Sequence, residues 1–206
     1  PAYRVAELEY AINKVGCKAL ILASSFKSSD YVSMVGELAP EICKSKPGDI
    51  SCVRLPSLKT VIQIGGETND GYFDFEQISG LDSNKGRERL EILSDELQFD
   101  DPINIQFTSG TTGFPKGATL THFNVLNNGY FTGEGLKFTS SDKLCVPVPL
   151  YHCFGMVLSN VAALTHGAAL VYPAEAFDPL TVLETVEAER CTALHGVPTM
   201  FIAELG

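Results

Sequence analysis

The chain has 206 residues, 45% of them apolar and 19% charged, with no Trp and a formal net charge of -10. That balance excludes disorder throughout, is compatible with a sizeable buried core, and argues against non-specific attachment to nucleic acid or to an anionic membrane surface. No run approaches the roughly eighteen continuous apolar residues of a membrane-crossing helix, and the six cysteines show neither a CxxC pair nor zinc-ligand spacing, so they read as small hydrophobes in a reducing compartment.

Pro1-Ala-Tyr-Arg4 has neither signal-peptide nor transit-peptide character and leads at once into a periodic segment. Val5, Leu8, Ile12 and Val15 recur at three and four residues and predict an amphipathic helix ended by Gly16. Lys18 to Ala23 reads as a buried strand. Ser28-Ser-Asp30 supplies caps for a second helix whose inner face is Tyr31, Val35, Leu38 and Ile42. Pro47-Gly48 punctuates, and Leu58 to Ile64 is a strand ending at Gly65-Gly66. From Glu67 to Asp101 the apolar period fades, with one short candidate helix from Arg87 to Leu97; a hairpin or small helices are expected in so long a connection.

The second half is more regular. Ile103 to Phe107 is a strand that opens into a Ser/Thr/Gly loop, and Leu120 to Gly129 begins a helix with Thr121 as its cap. Strands follow at Lys143 to Val148, Ala168 to Tyr172 and Thr192 to Leu194. The intervening helices run over Gly155 to Leu164 and along a face of Leu180, Leu183 and Val186, with another from Pro198 to Leu205. This alternation predicts an α/β fold: a mostly parallel sheet with helices on both faces. Three stretches are expected: a β/α segment over 1–66, a surface connection or small subdomain over 67–101, and a β/α segment over 102–206.

The loop is the string Thr108-Ser-Gly-Thr-Thr-Gly-Phe-Pro-Lys-Gly117. Nucleotide phosphates concentrate negative charge, which a protein meets with successive N–H groups, hydroxyls and a cation. Gly110 and Gly113 let the backbone curl close to a phosphate, Thr108, Ser109, Thr111 and Thr112 add hydroxyl donors, and Lys116 is the nearby cation. The spacing is not that of a Walker A loop, which needs Gly before the Lys and Ser or Thr after it; here Pro115 and Gly117 occupy those places. The Rossmann glycine pattern is also absent. On composition alone, an ordinary Ser/Gly turn is an equal alternative.

The full string resembles the phosphate-loop signature of the acyl-adenylate-forming enzymes, which include acyl-CoA synthetases, luciferases and peptide-synthetase adenylation domains. Leu120-Thr-His-Phe-Asn124, Pro149-Leu-Tyr-His-Cys-Phe-Gly155 and Gly196-Val-Pro-Thr-Met200 resemble elements that follow the loop in that family. Tyr3 to Ile12, Lys14 to Leu20, Arg54-Leu-Pro56 and Asp101 to Phe107 look closest to the family-member-2 group of animal mitochondrial medium-chain acyl-CoA synthetases. The resemblance implies part of the large N-terminal domain of an enzyme that couples a fatty acid to ATP through acyl-AMP and then to coenzyme A, with Mg²⁺ sharing the phosphate charge. It implies phosphate contacts at Thr108, Ser109, Gly110, Thr111, Thr112, Gly113 and Lys116, a Mg²⁺ contact at Thr111, and a mitochondrial location. The family's magnesium and adenine element, ribose-binding Asp, hinge and C-terminal domain with its adenylation Lys are not found up to Gly206, so this stretch by itself is expected to be inactive. Another adenylate-forming ligase for aryl or amino acids, or a non-catalytic nucleotide-binding module, remains open.

His152 is the candidate catalytic side chain, and the resemblance implies a position near the carboxylate and acyl-binding site. Positioning is the role expected, because a carboxylate nucleophile has no proton to give up. Cys153 is discounted as a partner on the ground that neighbours in extended chain point to opposite sides. His122 reads as part of a helix start, and His195 borders a pocket or serves structure with equal weight. Phe154, Met156, Val157 and Val161 read as a core helix face, with the lining of an acyl tunnel as the alternative.

Overall fold

A computed structural model describes residues 3–81, 83–108 and 115–206. The chain forms two compact units, Pro1–Glu96 and Leu97–Gly206.

In the N-terminal unit, helix α1 spans Val5–Val15, strand β1 spans Ala19–Ala23, and the two-residue strands β2 (Ser25–Phe26) and β3 (Ser29–Asp30) make a short antiparallel hairpin. Helix α2 spans Tyr31–Leu38, followed by strands β4 (Thr60–Ile64) and β5 (Phe73–Asp74), and helix α3 spans Asn84–Glu96. Helix α1 stops where the periodicity ends, at Gly16 in the left-handed conformation. Helix α2 starts where Asp30 accepts the Ser33 amide at 2.9 Å. The sheet is parallel in the order β1-β4-β5, so the connection after Glu67 contributes an edge strand, a 3₁₀ stretch over Phe75–Leu81 and a helix.

One face of that sheet is covered by the helices. Leu22 and Val61 pack with Ile12, Val35, Leu38 and Ile42 in a core that also takes in Ile50, Leu55 and Leu58. Period-two alternation sends Ile21 and Ile64 to the other face, where Ile21 is 55% exposed. The expectation of a buried strand therefore fails on one face of β1, where Ala19, Ile21 and Ala23 are exposed. Gln63, 2% exposed, is the polar member of the covered face. Its amide donates to Ser24 Oγ and to the Gly65 and Glu67 carbonyls, and its oxygen accepts from Asn69, so the loop beyond β4 is pinned to the strand end.

In the C-terminal unit, strand β6 (Pro102–Thr108) pairs antiparallel with β7 (Lys116–Thr121), and helix α4 spans His122–Leu136. Strand β8 (Lys143–Cys145) precedes a π-helical stretch over Phe154–Val161 that continues into helix α5 (Ala162–Thr165). Strand β9 (Ala169–Val171), helix α6 (Pro179–Glu189), strand β10 (Ala193–Leu194) and helix α7 (Pro198–Leu205) complete the unit. The three-stranded sheet is parallel in the order β10-β8-β9. The α/β class holds, with parallel sheets accompanied by two antiparallel hairpins.

Two local readings are corrected. Residues 116–121 form a strand, so the loop joins two antiparallel strands, and Leu120, read as the start of a helix, lies in β7. The helix begins at His122, with the expected cap: Thr121 Oγ1 accepts the Asn124 amide at 3.2 Å and Asn124 Oδ1 accepts the Thr121 amide at 3.0 Å. In α6, Leu180 and Leu183 are exposed and Val182 is the buried residue, so the inner face is rotated from the one the leucines suggest.

Close packing in this unit depends on two glycines of α4. A Cβ at Gly129 would stand 2.5 Å from Val161 Cγ1, and one at Gly133 would collide with the His166 ring. Among the described residues no helix is long and apolar enough to cross a membrane.

Candidate functional site

The described ends of the phosphate-loop string are brought together by the β6–β7 hairpin. Thr108 and Lys116 are direct partners across it, and Thr108 Oγ1 donates to the Lys116 carbonyl at 3.5 Å. Opposed residues of an antiparallel pair project on the same face, so the Thr108 hydroxyl and the exposed Lys116 side chain leave the hairpin on one face. Ser109, Gly110, Thr111, Thr112 and Gly113 lie outside the described residues.

His152 sits in the exposed turn that starts the π-helical stretch. Its backbone amide donates to the Pro149 carbonyl at 3.2 Å, and its own carbonyl accepts the Met156 amide at 3.0 Å. The Phe154 amide donates to Nδ1 at 3.1 Å. An Nδ1 that accepts an N–H carries no proton, so the neutral ring keeps its proton on Nε2. The turn also corrects the reason for discounting Cys153: the backbone here is not extended, and Cys153 Sγ lies 3.7 Å from His152 Nδ1. That nitrogen is already turned to the Phe154 amide, which leaves the thiol without the free base a nucleophile needs.

The hairpin and the His152 turn meet through Met156. Its sulfur accepts from Asn104 Nδ2 at 3.8 Å and from Gln106 Nε2 at 3.9 Å, while Gln106 also donates to Asn104 Oδ1 at 3.0 Å. Asn104 and Gln106 belong to β6, the strand that enters the loop, and Met156 lies one turn after His152. The sequence pattern puts Met156 in a core helix face and assigns Asn104 and Gln106 no role. The signal that could have found them is two carboxamides at period-two spacing on a strand whose other face is Ile103, Ile105 and Phe107.

His122 is the first residue of α4, as expected from its position. His195 is half-buried, its Nδ1 is 2.8 Å from Ser159 Oγ, and burial holds its pKa below the ordinary 6.5. His166, unassigned from sequence, stacks on Tyr130 and places Nε2 3.1 Å from Glu134 Oε1, tying α5 to α4. An open groove of about 600 Å³ runs along α4 past Leu120, Phe123, Asn127 and Phe131 and includes neither Lys116 nor His152. Among the described residues no three His, Cys, Asp or Glu side chains converge as a metal site. A Mg²⁺ contact from Thr111 falls outside those residues.

Comparison with known proteins bears on the family and the fold. The family described as "AMP-binding enzyme" matches residues 1–205. The acyl-CoA synthetase candidate YngI of Bacillus subtilis (strain 168) is 46% identical over 98% of this chain and 37% of its own length. The mitochondrial medium-chain acyl-CoA ligase ACSF2 is 43% identical in Danio rerio, over 100% of this chain and 34% of that protein. The human ACSF2 is 40% identical over 98% and 34%. The chain thus spans about a third of the length of the curated relatives it matches. Among solved structures, the anthranilate CoA ligase AuaEII in complex with anthranoyl-AMP superposes with a TM-score of 0.74 at 20% identity, over 98% of this chain and 35% of that one. An ATP-bound RpMatB-BxBclM chimera superposes with a TM-score of 0.65 at 27% identity, over 99% and 34%. Carrying the hairpin, its Ser/Thr/Gly string and the His152 turn in one fold, the chain belongs to the AMP-binding, acyl-adenylate-forming enzyme family, close to the medium-chain acyl-CoA ligases of the ACSF2 type.

Proposed function

We propose that this chain is the phosphate-holding and acid-positioning portion of a fatty-acid–CoA ligase whose preferred acids are of medium chain length. The observation that carries the reading is the Met156 contact, which ties the strand entering the Thr108–Gly117 loop to the turn bearing His152. In the first half-reaction an acid carboxylate oxygen bonds to the α-phosphorus of ATP, and the bond to the bridging oxygen breaks as pyrophosphate leaves. In the second, the coenzyme A thiolate bonds to the acyl carbon and AMP departs.

Thr108, Ser109, Gly110, Thr111, Thr112, Gly113 and Lys116 supply hydroxyls, amides and a cation to the β- and γ-phosphates, where charge grows as pyrophosphate leaves. Bound Mg²⁺ would share that charge, with the Thr111 hydroxyl beside it. His152 removes no proton, since the acid arrives ionised. With Nδ1 turned to the Phe154 amide, its Nε2–H is the donor available to hold and orient a carboxylate. The medium-chain preference and the mitochondrial location rest on the names of the vertebrate relatives.

The test is acid-dependent exchange of labelled pyrophosphate into ATP by the whole enzyme containing this chain, across short, medium and long fatty acids and aryl acids. Exchange is expected with medium-chain acids, and Thr111→Ala with Lys116→Ala is expected to weaken ATP binding about tenfold or more. Exchange with aryl acids alone would move the assignment to another adenylate-forming ligase. No exchange with any acid would reduce the chain to a nucleotide-binding module.

A further inference from the structure

One pair of inward-facing polar side chains in the C-terminal unit takes no part in that reading. Ser159 is completely buried in the run Gly155-Met-Val-Leu-Ser-Asn-Val161, immediately before the small core residues Ala162 and Ala163. A buried hydroxyl is unfavourable unless it is hydrogen-bonded, and alanine would fill the same space without that cost.

The hydroxyl is fully used. Ser159 Oγ donates to the Phe154 carbonyl at 3.1 Å, five residues back, a reach set by the π-helical winding; in an α-helix residue 158 would face that carbonyl. With its one proton committed there, the hydroxyl oxygen accepts from His195 Nδ1 at 2.8 Å. The His195 ring in turn lies against Phe154, with centroids 5.3 Å apart, and against Phe138 at 6.4 Å. Burial lowers the pKa of His195 and so favours the neutral ring, whose proton on Nδ1 makes this bond. His195 is itself fixed at the end of β10, its amide donating to the Cys145 carbonyl of β8 at 3.1 Å.

Phe154 is therefore held by its carbonyl and its ring, and its remaining polar group, the amide, is the donor that fixes His152 Nδ1. We propose that Ser159 and His195 are positioning residues for His152: they fix the Phe154 peptide so that its amide holds the His152 ring with Nε2–H presented to the acid. The parallel sheet thereby sets the orientation of an exposed histidine in a turn. This rests on the acid-positioning reading of His152, and two independent measurements separate its failure from the failure of that reading.

The first is kinetic, in the whole enzyme. Ser159→Ala is expected to lower kcat/KM for the acid about tenfold to a hundredfold while leaving the KM for ATP unchanged. His152→Ala is expected to produce the same split, and the double variant to fall no further than His152→Ala alone. Losses that multiply in the double variant, or a KM for ATP that rises in parallel, would overturn the proposal. His195→Asn, whose amide nitrogen can take the place of Nδ1, is expected to recover most of the loss seen in His195→Ala. Equal loss in the two would count against a donor role.

The second measurement does not use activity. Long-range proton–nitrogen correlation spectra of the whole enzyme resolve ring tautomers, and the signals missing from His152→Ala assign the His152 ring. The wild type is expected to show His152 protonated on Nε2, and Ser159→Ala to show both tautomers, in protein whose circular dichroism is unchanged. An unaltered His152 pattern in Ser159→Ala would refute the coupling even if every acid proved inactive in the exchange assay. Where Ser159→Ala does not fold, His195→Ala, which leaves the Ser159 bond to Phe154 in place, is read in the same way.

Discussion

The two units of this chain solve the packing problem with different residues, and the difference tracks where the motifs lie. The N-terminal unit fills its core with large aliphatics, Leu38, Ile42, Ile50, Leu55 and Leu58, all nearly inaccessible, and satisfies the buried amide of Gln63 with four hydrogen bonds to the adjoining loop and one to Ser24 Oγ. The C-terminal unit packs Ala162, Ala163 and Ala168 with Leu144, Val146 and Val148, brings α4 close through Gly129 and Gly133, and commits buried polar groups to Ser159 and His195. Large side chains stabilise through the area they remove from water. Small ones allow close backbone approach, here of α4 to Val161, Ala162 and His166. The first unit relies on buried area and the second on close approach of small residues.

Truncation in the first unit should cost most. Leu38→Ala removes a side chain with no exposure from the centre of the N-terminal core, where the surrounding Val35, Ile42 and Leu58 cannot collapse without losing their own contacts. A loss of about 2–5 kcal/mol is expected from urea unfolding of the chain. A loss below about 1 kcal/mol would mean that this core is loosely packed and that the contrast between the units is false.

Addition should be the damaging change in the second unit. Gly129→Ala inserts a methyl group 2.5 Å from Val161 Cγ1 and 2.7 Å from its Cβ, at the contact of α4 with the π-helical stretch. Alanine favours a helix interior by about 1 kcal/mol over glycine, so any net destabilisation must come from the clash. The expected net cost is about 1–3 kcal/mol, with faster amide exchange confined to α4 and residues 154–165. A stabilised variant would show that the close approach is not needed. The same substitution at Gly36, where a Cβ would meet nothing, is the control.

The first unit is more legible in sequence than the second, for reasons that particular residues show. Val5, Leu8, Ile12 and Val15 face a core and end at a glycine with φ of 62°, so period and stop signal agree. Thr121 and Asn124 form a readable capping pair because both bonds are local. Strand β7 escapes a reading by pattern because Lys116, Gly117, Ala118 and Thr119 are not buried, and a strand with no buried face leaves no alternation to detect. Leu180 and Leu183 mislead because they are apolar yet exposed, while the smaller Val182 faces inward. The Thr108–Gly117 string stands out in sequence, and it is the family resemblance of the whole string that suggests its chemistry, whereas the Met156 and Ser159–His195 contacts join residues far apart in sequence and carry no local pattern. Ser159 leaves a trace as one hydroxyl inside an apolar run, which only the π-helical winding converts into a contact.

The smallest predicted effect concerns that buried pair, and it separates structural from catalytic consequences of His195. Burial lowers the folded-state pKa of His195 below 6.5, so between those values the unfolded chain binds the proton more readily. Stability linked to this ring is therefore complete above about pH 6.5 and declines as pH falls from there through the lowered folded value. The capping carboxylates work in a different window. Asp30 and Asp178 have depressed pKa values because the amides and hydroxyls of Ser33 and Thr181 donate to them, and Asp142 because Thr192 does. Their contributions are present above about pH 4 and are lost only below it. Urea midpoints measured from about pH 7.5 down to about pH 5 should thus fall for the wild type and fall less steeply for His195→Asn, which has no ring to titrate. Parallel slopes in the two proteins would mean that His195 takes up its proton as easily folded as unfolded, so that its burial does not favour the neutral ring.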